Sequence, residues 1–221
     1  MLRDFEIFAV ADASGSSVKI ALVRGGETVV EASRSNMAME GFASALAEAC
    51  GSGLGEVGAF ALCVGPGSML STRVASCALS TVAALTGAKL FSWDAMQVAA
   101  AALHRGFVAG FPEMRGDFRI VAPSRKGYAN ALDFRGGCAA RQEEVEIGGL
   151  DAMEPLPAAL LDQRAVADPR LAGFKRLDLP ASAAARALLA DPGLAELCAL
   201  PPEPKSLSKR EYVKWKVQAR I

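Results

Sequence analysis

Ala59-Phe-Ala-Leu-Cys-Val64, Gly65-Pro-Gly-Ser68 and the uninterrupted helical run from Met69 to Thr86, stopped by Gly87, form the stretch on which the fold turns. A short apolar strand runs into a glycine-rich turn, and a long helix leaves from it. From Val74 to Ala88 that helical run carries no charge, so it is apolar around its circumference and buried on more than one side. Upstream, Met39, Phe42, Leu46 and Ala49 lie on one stripe of a helix reaching Cys50, with Ala43, Ala47 and Cys50 beside it and Gly51-Ser-Gly53 as its stop. Further upstream, Phe5–Val10, Ser17–Arg24 and Glu27–Ser33 alternate as strands, and Gly25-Gly26 marks a tight hairpin. Downstream come a strand at Lys89–Ser92 and a helix at Ala95–Arg105 that Ser92 or Asp94 can cap.

A lobe therefore closes near residue 106, and Gly106–Gly116 reads as a linker. Asp117–Ala122, Gly127–Phe134 and Arg141–Ile147 then form a second meander, followed by a strand-like Arg164–Ala167 and a helix at Ala181–Ala190 between prolines. The division expected is a first lobe at 1–106, a smaller and more eroded second lobe at 107–200, and an exposed basic tail at 201–221. Two halves that each open with a meander followed by helices suggest a structural duplication, although no sequence repeat is visible.

Composition narrows the function. With 24 basic and 24 acidic residues the net charge is zero, so no overall field draws the chain to nucleic acid or an anionic membrane. Hydrophobic residues make up 52% of the 221, and 43 of them are Ala, which excludes disordered and fibrous classes. The run Val74–Ala88 falls short of the ~20 apolar residues of a membrane span. Met-Leu-Arg-Asp-Phe-Glu at the start has the wrong charge for a secretory signal, so a cytoplasmic protein is expected. Cys50, Cys63, Cys77, Cys138 and Cys198 are odd in number and scattered, as reduced thiols are. His104 is the one histidine, which leaves peptidase and metal-ligand arrangements without parts and argues for a structural role; no catalytic or metal-binding residue is assigned.

Two segments leave alternatives open. Gly65, Gly67 and Ser68 sit where backbone N–H groups at a helix start could hold an anion, or are simply a strand-to-helix turn. Asp12 and Ser14, in the first hairpin, could position a magnesium-bound phosphate, or form an Asx turn. An enzyme reading would use these residues in a small ATPase or kinase. A basic stretch from Lys205 to Arg220, with Tyr212 and Trp215 interleaved, could hold RNA or be a solvated tail.

Leu62-Cys-Val-Gly-Pro-Gly-Ser-Met-Leu-Ser-Thr-Arg-Val-Ala75 resembles the Gly-Pro-Gly-Ser-Phe-Thr-Gly-x-Arg-Ile-Gly segment of the TsaB (YeaZ-like) family, companion subunits in threonylcarbamoyladenosine synthesis on tRNA. Ala9–Ser14, Ile120–Tyr128 and Tyr212–Lys216 are similar to other segments of that family, in the same order. The sequence departs from it at Ala13, Val64, Met69-Leu70-Ser71 and Ser35-Asn36. The resemblance implies an α/β, actin-like, sugar-kinase-type (ribonuclease H-like) fold in two lobes, each a mixed sheet with flanking helices. It also implies a subunit without a catalytic centre or intrinsic cofactor, with ATP and magnesium at most at a partner interface. The partners implied are a catalytic TsaD-like homologue and a TsaE-like ATPase, with a homodimer when the chain is alone. Transfer RNA is met through the assembly or the 205–220 tail. The interface residues expected on this basis are Met39, Phe42, Leu46, Arg73, Ala75, Ala78, Leu79 and Val82; the same helices could instead serve a homodimeric binding module.

Overall fold

A computed structural model describes residues 1–35, 38–161, 168–199 and 201–207; of Ala38 and Met39 it describes the backbone alone. The first sheet opens with the antiparallel meander β1 (Ile7–Asp12), β2 (Ser17–Arg24) and β3 (Glu27–Ser35). Helix α1 (Ala38–Cys50) leads to β4 (Ala59–Cys63), and α2 (Met69–Thr86) leads to β5 (Lys89–Trp93). β4 pairs parallel to β1 and β5 parallel to β4, giving the order β3-β2-β1-β4-β5.

The second sheet repeats this plan. After α3 (Ala95–His104), strands β6 (Phe118–Pro123), β7 (Tyr128–Arg135) and β8 (Cys138–Glu146) form a second antiparallel meander. Strands β9 (Ala158–Leu161) and β10 (Lys175–Leu177) add in parallel, in the order β8-β7-β6-β9-β10. Both meanders turn on two glycines with positive φ: Gly25 and Gly26 at 57° and 83°, Gly136 and Gly137 at 57° and 84°. Such a two-residue turn pairs the flanking residues directly, Arg24 with Glu27 and Arg135 with Cys138. For that reason β8 starts at Cys138, three residues before the sequence expectation. This doubled sheet order is the actin-like, sugar-kinase-type arrangement.

Alanine explains how the two sheets meet. α3 packs on β6, β7 and β8, whereas α4 (Ala181–Ala190), which follows the second sheet, packs on β1, β2 and β3. Each half's last helix thus covers the other half's sheet. The two helices also touch each other, with Ala99, Ala100, Ala102, Ala183, Ala184 and Ala187 buried between the sheets' inner faces. Small side chains let the helices pack closely, and Phe8, Val10, Phe118, Ile120 and Phe134 fill the remaining space. Glu31 of β3 fastens α4 in place: its carboxylate accepts from Ala181 N at 2.7 Å and from Ser182 Oγ at 2.6 Å.

The outer faces differ. That of the first sheet is covered by α1 and α2, through Phe42, Leu46, Ala75 and Leu79 on Ile20, Phe60 and Leu62. Over the second sheet Ile147, Leu150 and Leu171, from short 3-10 turns, meet Val121, Ala131 and Leu160, with Met153 and Phe174 partly buried beside them.

Two expectations change. The second lobe does not run to residue 200, because β11 (Ala195–Leu197) crosses back to pair antiparallel with β5. A three-residue strand has too short a pattern to read in sequence. The tail does not leave into solvent at 201 either: Pro202 is buried, and its carbonyl accepts from Ser76 Oγ at 2.6 Å. The strand-like Arg164–Ala167 lies outside the described residues. α2 is long and apolar enough by itself to cross a membrane, but Thr72, Ala75, Ser76 and Leu79 commit one of its faces to the lobe.

Candidate functional site

The carboxyl ends of β1, β4 and β5 bring the sequence candidates together. Asp12 ends β1, and its Oδ1 accepts from Ser14 N at 2.8 Å and Ser14 Oγ at 2.6 Å. This is the Asx turn, and it directs the carboxylate inward to the hairpin. Ser14 is fully buried; its carbonyl accepts from Ser68 N at 2.7 Å, and its hydroxyl receives the Cys63 thiol at 3.6 Å. Gly67 permits that approach, since a Cβ there would lie 2.7 Å from Ser14 Cβ and press on the Ser14 carbonyl. Ser68 also caps α2, its Oγ accepting from Ser71 N at 3.4 Å. Gly65, with φ of 104°, gives its carbonyl to Ala95 N at 2.9 Å.

The structure brings all five candidates together, Asp12, Ser14 and Ser68 by hydrogen bonds to one another, Gly67 by its close approach to Ser14, and Gly65 by its bond to α3. The Ser68 amide, which an anion would need, is held by Ser14. The strand-to-helix turn is the reading this geometry favours. No group of three or more His, Cys, Asp or Glu is placed to hold a metal among the described residues.

Sequence reasoning missed the polar cluster beside this turn. Asp94 caps α3 through Met96 N at 2.9 Å and Gln97 N at 3.0 Å. Its second oxygen accepts from Lys205 Nζ at 2.6 Å and from Gln142 Nε2 at 3.0 Å. Gln142 Oε1, on β8, accepts in turn from Gln97 Nε2 at 3.2 Å and Lys205 Nζ at 3.4 Å. Asp94 was legible as a cap; Gln142 on an edge strand and Lys205 among other basic residues carry no local signal.

The expected partner face needs correction. Phe42, Leu46, Ala75 and Leu79 are buried in the first lobe's own core and are closed to any partner. Ala78 and Val82 are half-buried against it, and the side chain of Met39 lies outside the described residues. Arg73 is exposed. The open side of α2 is instead Leu70, Arg73, Cys77, Thr81, Ala84 and Leu85, with Ala43 and Ala47 exposed on α1. Leu70 is 68% exposed and Leu85 81%.

All five thiols are free. Burial pushes the Cys50 thiol up to about 11 and that of Cys63 well up, with the Asp12 charge adding to the latter. Cys77 and Cys138 are exposed. Alkylation at pH 8 followed by mass spectrometry is expected to modify Cys77 and Cys138 first and to leave Cys50 and Cys63 intact until denaturant is added. Early labelling of Cys50 would refute the packing of α1. His104 lies on the Phe134 ring at 5.2 Å between centroids, with Nδ1 buried and unbonded, consistent with a structural role.

No protein-family model matches this sequence, and no curated protein does. Solved structures do match. A Pseudomonas aeruginosa protein described as similar to peptidase YeaZ superposes with a TM-score of 0.59 at 16% identity, over 91% of this chain and 100% of its own. YeaZ from Pseudomonas aeruginosa gives a TM-score of 0.56 at 15% identity, over 90% and 99%. At such identities the likeness is one of fold, and it spans nearly the whole chain.

Proposed function

We propose that this chain is a companion subunit without a catalytic centre of its own, which docks through α1 and α2 onto a homologous catalytic subunit of the TsaD type in threonylcarbamoyladenosine modification of tRNA. The observation that carries this reading is the open side of α2. It presents Leu70, Cys77, Thr81, Ala84 and Leu85 on a helix whose single charge is Arg73. An exposed helix face of this length with a single charge is what a buried interface uses, and the small residues Ala43, Ala47 and Ala84 let a second helix pair lie close. The fold shared with YeaZ supports the family reading, and the self-bonded Asp12–Ser68 turn supports a subunit that leaves chemistry to its partner. The reading places a TsaE-like ATPase in the same assembly and a homodimer on the same face when the partner is absent. ATP and magnesium would be met at the partner interface, and tRNA through the assembly or the 205–220 tail. The setting is the cytoplasm.

Light scattering coupled to size exclusion is the test, on the chain alone and with the TsaD-like protein of the same organism. A one-to-one complex replacing a homodimer is expected. Leu85→Glu buries an unpaired charge in that interface and is expected to weaken association at least 100-fold, about 3 kcal/mol. Because Leu85 is exposed in the monomer, its stability is expected to change by no more than about 0.5 kcal/mol. Absence of a complex at micromolar concentrations, or a complex indifferent to Leu85→Glu, would refute the proposal.

A further inference from the structure

Ligands of open α/β sheets lie outside the carboxyl ends of the strands, where the strand order reverses. In the first sheet that place is the end of β1 and β4, at Asp12 and the Gly65–Ser68 turn. Residues 201–207 pass beside it, over the end of β4 and against α2. Pro202 is buried and bonded to Ser76 of α2; Lys205 N donates to the Val64 carbonyl at 2.7 Å; and a Cβ on Gly65 would stand 3.6 Å from the Lys205 carbonyl oxygen. The Lys205 side chain then reaches Asp94, at the start of α3, and Gln142, on β8 of the second sheet. One residue thus covers the end of β4 with its backbone and ties the two halves with its ammonium. The Asp94 side chain is only 8% exposed, so the pair is shielded from water on the carboxylate side.

We propose that residues 201–207 are a strap, latched by Lys205, that covers the end of β4 and holds the two halves together there. Cys63 lies at the end of β4, bonded to Ser14, whereas Cys50 lies in the core under α1, on the other face of the sheet. The two thiols therefore separate local opening from general unfolding.

The experiment is alkylation kinetics on the full chain, read by mass spectrometry at each cysteine, for the wild type, Lys205→Met and Lys205→Arg. Lys205→Met keeps the length of the side chain and removes its charge. It is expected to speed labelling of Cys63 at least tenfold with Cys50 unchanged, and Lys205→Arg, which can still pair with Asp94, to restore protection. Gln142→Leu, which removes the bridge to the second sheet and leaves the Asp94 pair, is expected to speed Cys63 by a smaller factor. Unchanged Cys63 in Lys205→Met would overturn the latch. Equal acceleration of Cys63 and Cys50 would also overturn it, because it reports loss of overall stability.

Discussion

Asp133→Ala is expected to destabilise the chain by about 3–5 kcal/mol, because it leaves a guanidinium buried without its counter-charge. Arg119 and Asp133 face each other across β6 and β7. Arg119 donates from Nε to Oδ1 at 2.5 Å and from Nη2 to Oδ2 at 3.1 Å, and its Nη1 reaches the Glu154 carbonyl at 3.1 Å. Both side chains are under a tenth exposed. The pair sits on the outer face of the second sheet, the face covered by short turns, and it fastens the 153–157 segment there. Arg135, bonded to Glu154 at 2.6 Å and 3.7 Å from Asp133, is itself a cation and cannot supply the counter-charge that Asp133→Ala removes. Urea unfolding followed by circular dichroism measures the loss. A double replacement, Arg119→Met with Asp133→Leu, is expected to recover much of it, since two apolar side chains leave no orphaned charge. A loss below about 1 kcal/mol in the single variant would show the pair to be hydrated, as surface pairs are.

Gly67→Ala is expected to cost about 3 kcal/mol, at the upper end of overpacking effects. The added methyl meets the Ser14 backbone rather than a movable side chain, so either the hairpin or the α2 turn must shift. A shift would break the Ser68 N to Ser14 carbonyl bond and leave the Ser14 carbonyl without that partner. The same variant is expected to expose Cys63, whose thiol rests on the Ser14 hydroxyl. Thermal unfolding together with thiol labelling checks both effects. Wild-type stability in Gly67→Ala would mean that the turn does not lie against the hairpin, and would reopen the anion-binding reading of Gly65–Ser68.

Some of the candidate site was legible because its signals are local. An Asp followed two residues later by a Ser is an Asx-turn signal, and Gly-Pro-Gly-Ser between an apolar run and a helix is a turn signal, each read beside an anion-binding alternative. Four of the expected partner residues, Phe42, Leu46, Ala75 and Leu79, turn inward for a physical reason. A helical stripe of large apolar side chains, such as Phe42 with Leu46 or Ala75 with Leu79, is the stripe most strongly driven onto the helix's own sheet. The face left exposed is the weaker one, Leu70, Cys77, Ala84 and Leu85, and its signal is the lack of charge rather than a stripe of apolar bulk.

By itself the sequence determined the local geometry: strands and helices from their periods, the Gly25-Gly26 turn from its glycines, helix ends from Ser68, Gly87 and Asp94. It also carried the resemblance of two successive meander-and-helix halves, which matches the doubled sheet order observed. These depend on interactions within a few residues, so a linear pattern records them. Tertiary structure alone decided that α3 and α4 cover each other's sheets, that β11 returns to the first sheet, and that Lys205 bridges Asp94 and Gln142. The contacts of Lys205 and β11 join residues 63 to 111 positions apart, and those of α4 with β1 at least 169, and no spacing in the chain encodes which buried face or carboxylate a distant segment will meet.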